Sequence, residues 1–276
     1  MAISATAVKE LREETGLPLM DCKRALTEAN GDKEAAKQNL REAGKVIQGK
    51  RSDRATEFGR FGIYASLDPA GGAMVELKCE SAPVTQNEEF IQLANNLAEQ
   101  LATGPGAADA EELLSQPSPG KDGMTLGEQK DDLFNRIREV FNVGRLIRVD
   151  GPCGGYSHNA STVAGVLLEV GGDNADVARD ISMHVAAMRP AGLTADDLDP
   201  ADVEKERGIL REAALKEGKP ENIVDKMVEG RLRNYFAERV LTEQAFVKEP
   251  KMTVGNFAKE NGMSIKQFVH WEMGAE

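Results

Sequence analysis

Aromatic residues are scarce in this chain, at 5% of its 276 residues. That suggests a modest, aliphatic core. Histidine and cysteine are scarcer still, with three of each. Cys22, Cys79 and Cys153 are odd in number, widely spaced and form no C-x-x-C pair, which argues against a disulfide framework and for a reducing, cytoplasmic setting. No apolar run approaches the ~20 residues of a membrane-spanning helix, and the N-terminus lacks a charged-then-apolar leader, so no membrane partner is expected. Positive charge is in deficit, with 34 Lys and Arg against 46 Asp and Glu, a net charge of −12. Gripping phosphate backbones needs a basic face, so the charge argues against direct nucleic-acid binding as the main task. The charge suits solubility or a partner with a basic surface. Signatures of chemistry are missing too: no G-x-x-x-x-G-K-[ST] or G-x-G-x-x-G, no H-E-x-x-H, no G-x-S-x-G. The three histidines are scattered and read as structural. No catalytic residue, metal site or cofactor is expected, and the chain reads as a protein that works by surface contact.

What is present is a repeated unit. In Ala73 to Ala102, Ala73, Val75, Leu77 and Cys79 alternate with Met74, Glu76 and Lys78 as in a half-buried strand. Phe90, Ala94, Leu97 and Leu101 then share one helix face. ANNLAEQLA (Ala94 to Ala102) aligns without gaps on ARDISMHVA (Ala178 to Ala186), and VLLEV (Val166 to Val170) is a strand like MVELK. The first copy carries extra residues between strand and helix, largely CESAPVTQNEEF. Such strand-to-helix turns are surface loops on a rigid scaffold, so this segment is either a functional loop or a decorated helix start.

In chain order, three short helical patterns fill residues 4 to 44. The first stops at Gly16, the second at Asn30-Gly31, and the third is capped by Asp32 and ends before Gly44. Lys45, Lys50, Arg51 and Arg54 make a locally basic linker, either a solvated tether or a docking stripe. Phe61, Ile63, Ala65 and Leu67 read as a strand whose hairpin partner is the repeated unit. Thr125 and Glu128 form a capping box for a helix burying Leu133, Ile137 and Phe141, and Arg145 to Val149 is a strand. Cys153 falls in Gly-Pro-Cys-Gly-Gly, expected to be an exposed, oxidation-prone turn. The second copy opens at Tyr156. A charged helix over Asp202 to Lys216, a stop at Gly218 and a start at Pro220 predict a helical hairpin. Ile265, Val269, Trp271 and Met273 alternate as a last strand that joins a sheet. The expected fold class is α+β: a three-helix, UBA-like module over 1–45, a basic linker over 46–58, and two related α/β subdomains over 59–151 and 152–276. The helical hairpin is inserted in the second at about 201–237.

VKELREETGLPLMDCKRAL (Val8 to Leu26) resembles the N-terminal signature of bacterial elongation factor Ts, L-R-x-x-T-G-x-x-x-M-D-C-K-x-A-L. EGKPENIVDKMVEGRL (Glu217 to Leu232), LTEQAFVKEPKMTVG (Leu241 to Gly255) and the closing QFVHWEMG resemble further stretches of that family, in the same order. The resemblance implies a guanine-nucleotide exchange factor for elongation factor Tu that makes and breaks no bonds. In the family, an N-terminal module and core grip the GTPase while a loop of the first subdomain pushes near its magnesium and phosphate site. By match to the family, Met20, Asp21 and Lys23 fall in the N-terminal contact region, and His158 matches a contact histidine of some members. Asp21 reads alternatively as a helix-start cap. Ser81, Ala82, Pro83 and Val84 occupy the pushing position. Many members carry Thr-Asp-Phe-Val there, so this chain lacks both the carboxylate and the ring. Either the shape of the loop suffices, or the chain exchanges weakly, or it is a holding partner that does not exchange. The resemblance leaves open a homodimer through the helical hairpin.

Overall fold

The computed structural model describes residues 3–51, 53–160, 162–218 and 220–275. Met1, Ala2, Ser52 in the linker, Ser161 in the second hairpin, Lys219 before Pro220, Glu276 and the side chain of Asn222 lie outside the described residues. Two units emerge: one holds the residues up to Ile63, Ala73–Arg148 and those from Met273 on; the other holds Tyr64–Gly72 and Val149–Glu272.

The first unit begins with α1 (Ala5–Thr15), α2 (Leu19–Glu28) and α3 (Lys33–Gly49). Ser4 and Asp32 cap α1 and α3 by accepting from the Ala7 and Ala35 N–H groups, which satisfies donors the first turn leaves unpaired. Val8, Leu11, Leu17, Cys22, Ala25, Leu26, Ala36 and Leu40 form their common core. Gly44 does not end α3, as the sequence suggests. It is buried, and a Cβ there would sit 1.8 Å from Asn135 Oδ1. The glycine therefore serves close helix approach, and Ala43 beside it is exposed. Nor is the basic stretch a solvated tether. Its start is helical, Arg51 Nη1 donates to the Arg138 carbonyl at 2.6 Å, and Arg54 Nη1 donates to Glu80 at 2.9 Å.

Next come β1 (Phe58–Ser66), β2 (Gly71–Cys79), α4 (Glu88–Thr103), α5 (Ala110–Ser115), α6 (Leu126–Ile137) and β3 (Phe141–Val149), with sheet order β1-β2-β3. The Thr125/Glu128 capping box is present with both bonds. α6 closes at Arg138, which turns left-handed at φ 67°. Phe141 is thus the first residue of β3 rather than part of the helix, and it meets Phe90 of α4 with ring centroids 5.4 Å apart. The strand starts four residues earlier than Arg145, and Phe134, not the half-buried Ile137, fills the core from α6.

The second unit contains β4 (Cys153–Asn159), β5 (Val163–Gly171), α7 (Ala175–Met188), α8 (Pro200–Lys216), α9 (Glu221–Arg239), β6 (Ala245–Phe246), β7 (Glu249–Thr253), α10 (Val254–Glu260) and β8 (Ser264–Glu272). β4, β5 and β8 pair antiparallel in that order. Cys153 is not in an exposed turn. It opens β4 opposite Glu169, is 2% exposed, and burial together with the Glu169 charge pushes its thiol up to about 12. α8 and α9 form the helical hairpin on a thin core of Ala214, Val224, Val228 and Leu232. Arg207–Glu229, Arg211–Asp225 and Arg231–Glu217 ion pairs link the two arms.

The repeat is visible in three dimensions. Each copy is a hairpin followed by a helix, and a later strand joins the second strand of the hairpin. The aligned pairs Ala94 and Ala178, Leu97 and Ile181, Ala98 and Ser182, Leu101 and Val185 are all fully buried. A glycine on the first strand of each hairpin admits the helix. A Cβ on Gly62 would lie 1.8 Å from the Ala94 carbonyl oxygen, and one on Gly154 would lie 2.6 Å from Ala178 Cβ. Asn87 and Asn174 cap the two helices.

Candidate functional site

The two copies differ at the strand-to-helix connection. Residues 80–87 join β2 to α4, whereas 172–174 join β5 to α7. The extra residues form a 3-10 turn over Ala82–Gln86. Ala82 and Pro83 are exposed at its tip, and Val84 is a buried foot, 8% exposed. Pro83 suits the first turn of a helix, where a missing N–H costs nothing.

The turn is held on several sides. Ser81 donates its N–H to Glu139 Oε2 at 3.0 Å and its hydroxyl to Glu139 Oε1 at 2.5 Å. The Cys79 thiol donates to the Ser81 carbonyl at 3.3 Å. Burial, with the Glu139 charge, pushes that thiol up to about 12. At the far end Arg60 Nη1 donates to the Thr85 carbonyl at 3.1 Å, and burial pulls the Arg60 guanidinium below its ordinary value. The Thr85 hydroxyl donates to the Ala82 carbonyl at 2.7 Å. Glu80 accepts from the Val140 N–H at 2.8 Å and from Arg54. Burial raises the Glu80 carboxyl, but the Val140 N–H and the Arg54 guanidinium outweigh it and hold the group below the carboxylate range.

Met20 is 68% exposed beside Leu19 at 48%, and Lys23 is exposed on the same helix, α2. Asp21 caps nothing. Pro18 holds the cap position of α2, and Asp21 lies in its first turn. Its two oxygens accept from Arg24 and Arg138, both at 2.9 Å. The structure thereby ties Asp21 and Ser81 to one short stretch, since Arg138 reaches Asp21 and its neighbour Glu139 reaches Ser81. His158 lies in the second unit, half-buried on β4, with Nδ1 3.2 Å from the Tyr156 hydroxyl.

Sequence reasoning missed Glu80, Arg138 and Glu139, because their partners lie far away along the chain and no local spacing announces them. His184, read as structural, is so in the fold. That side chain is fully buried, with Nε2 2.9 Å from Gln244 Oε1 and Nδ1 accepting from the Val247 N–H. Among the described residues no three His, Cys, Asp or Glu side chains cluster as metal ligands, and no helix is long and apolar enough to cross a membrane. The arrangement offers exposed apolar tips on buried supports, and the Cys79 thiol beneath the turn stays protonated at neutral pH.

Residues 80–275 match the family described as Elongation factor TS. An Elongation factor Ts of Hydrogenobaculum sp. (strain Y04AAS1) is 40% identical over 275 residues, spanning 99% of this chain and 100% of its own. One from Clostridium botulinum (strain Alaska E43 / Type E3) is 41% identical over 286 residues, spanning 99% and 93%. One from Aquifex aeolicus (strain VF5) is 39% identical over 287 residues, spanning 99% of each chain.

Proposed function

The chain belongs to the elongation factor Ts family of translation elongation factors, and on that premise we propose that it is the guanine-nucleotide exchange factor of elongation factor Tu, acting in the cytoplasm. The observation that carries this reading is the supported turn at 81–84, present in one copy of the repeat and absent from the other. In this reading α2 grips the GTPase through Met20 and Lys23, and His158 adds a contact from the second unit. The tip at Ala82 and Pro83 presses near the magnesium and phosphate site of the bound nucleotide. The ion neutralises the phosphates, so a small displacement there weakens GDP strongly.

The energetics follow from linkage. If the factor weakens GDP binding by some ratio, GDP weakens the factor by the same ratio. Every ~1.4 kcal/mol of coupling is tenfold in affinity. No bond is made or broken in this exchange, so the work is done by contact alone. Ala82 and Pro83 supply neither charge nor ring, so the push is steric, and the partner's own rearrangement carries the rest.

Stopped-flow release of fluorescent GDP from elongation factor Tu at fixed magnesium tests the proposal. Strong acceleration is expected. Complex formation without acceleration would instead make the chain a holding partner of the GTPase, the reading that the missing carboxylate and ring favour. The α8–α9 arms expose Ile209, Leu215 and Ile223, which offers apolar surface for a homodimer. Light scattering across a concentration series decides that point, and a monomer throughout would remove it.

A further inference from the structure

Resting on the exchange reading, we propose that Glu139 is a positioning residue, and that Glu139 and Glu80 form a reciprocal clasp holding the 81–84 turn in its presented conformation. Each of two passing segments lends a carboxylate to the other's backbone. Glu139 accepts from Ser81 N–H at 3.0 Å, and Glu80 accepts from Val140 N–H at 2.8 Å. The logic is that of a capping box, but the partners are 58 and 60 residues apart in the chain. Both bonds are charge-assisted, the stronger class of hydrogen bond. The second oxygen of each carboxylate is also engaged, by the Ser81 hydroxyl and by Arg54. The Cys79 thiol beneath the turn stays a donor to the Ser81 carbonyl.

The tip needs such support. Ala82 and Pro83 carry no polar side chain, so the tip itself can offer a partner only its shape. A shape transmits force only if it is rigid before contact, since ordering it during binding would consume the binding free energy. The same stretch fixes α2, because Arg138 binds Asp21 and receives Arg51 on its carbonyl. Gripping helix and pushing turn thus share one anchor, which keeps a push at the tip from being absorbed by movement of the grip.

The test uses the full chain with Glu139→Ala, Glu139→Gln and Ser81→Ala. Two readouts are needed: amide hydrogen exchange at residue 81, and GDP release as a function of factor concentration. In Glu139→Ala the Ser81 amide should exchange about tenfold faster, the scale of one lost charge-assisted bond. The maximal GDP-release rate should fall by about the same factor, while the half-saturating concentration moves less than about twofold, because the grip is intact. Glu139→Gln should fall between, since its amide oxygen still accepts one bond, and Ser81→Ala should lose least. A Ser81 amide that stays protected in Glu139→Ala would overturn the clasp, as would an unprotected amide with an undiminished maximal rate. If Glu139→Ala fails to fold, Glu139→Gln and Ser81→Ala make the same comparison. If the unaltered chain does not accelerate GDP release, the exchange reading fails by itself, and the Ser81 amide still decides whether the clasp exists.

Discussion

The two copies of the hairpin–helix unit were built to one plan and finished differently. β1–β2–α4 and β4–β5–α7 share the buried helix face, the asparagine cap and the glycine that lets helix and strand approach. The first copy adds a supported turn at its strand-to-helix connection; the second makes that connection with 172–174. Each second strand also presents a glutamate to a cation on the third strand. Glu76 is 1% exposed and takes Arg145 Nη2 at 2.9 Å, with Lys78 nearby. Glu169 meets Lys266 at 3.3 Å with half of the lysine side chain in solvent. The lesson is that the two copies share the scaffold, and that the supported turn and the more deeply buried ion pair belong to the first alone.

Substitutions can break that comparison. The largest effect is expected at Glu76. Glu76→Ala leaves Arg145 short of its buried partner and should cost about 3–5 kcal/mol in urea unfolding. Glu169→Ala, at a surface pair, should cost about 0–1 kcal/mol. Next are the close-approach glycines. Gly62→Ala and Gly154→Ala should each cost about 1–3 kcal/mol through overpacking. Gly62 should cost more, because its added Cβ would lie 1.8 Å from the Ala94 backbone oxygen, whereas one on Gly154 comes no closer than 2.6 Å to Ala178 Cβ and 2.9 Å to its backbone. Equal costs would mean the first copy relaxes as freely as the second.

Acid separates the copies further. Burial lowers the pKa of His184, only partly offset by Gln244, and burial lowers His270 as well. Below the ordinary histidine value of about 6.5 the unfolded chain binds protons that the fold does not. Stability in the second unit is therefore complete above that pH and declines as pH falls below it. In the first unit burial raises Glu76, but Arg145 and Lys78 outweigh it and hold the carboxyl low. Its contribution persists until pH falls through the carboxylate range, near 4. Hydrogen exchange from pH 7 to 5 should thus loosen the second unit first. Position 184 aligns with Gln100, so His184→Gln should blunt the difference. The smallest effect is expected at the tip. Ala82→Asp with Pro83→Phe should leave folding and maximal GDP release unchanged if shape suffices, and a clear rise in rate would show that the missing groups limit the push.

Much of the fold was legible because it is written locally. Helix caps, the Thr125/Glu128 box and the gapless match of α4 with α7 all act over a few residues, whereas β2, expected to be half-buried, is covered on both faces, with Met74 and Glu76 buried as well. The failures have one cause. Gly44 looked like a stop, but it answers to Asn135. Cys153 looked like a turn, but it pairs with Glu169 across a sheet. Arg51 and Arg54 looked solvated, but their acceptors, at Arg138 and Glu80, come from distant elements. The candidate site divides the same way. The exposed tip at Ala82 and Pro83 was visible as an insertion in one copy, while the Glu139 and Glu80 supports have no local signature.

The order of strands in the second sheet bears on how the chain is made. β5 is synthesised long before β8, with α7, α8, α9, β6, β7 and α10 in between. During translation, at ~5–20 residues per second, the edge of β5 that β8 will cover stays unpaired for several seconds. The first sheet completes itself sooner, because β3 follows β2 after only α4, α5 and α6. An open strand edge invites pairing with other chains, so the interval before β8 emerges leaves the nascent chain open to aggregation.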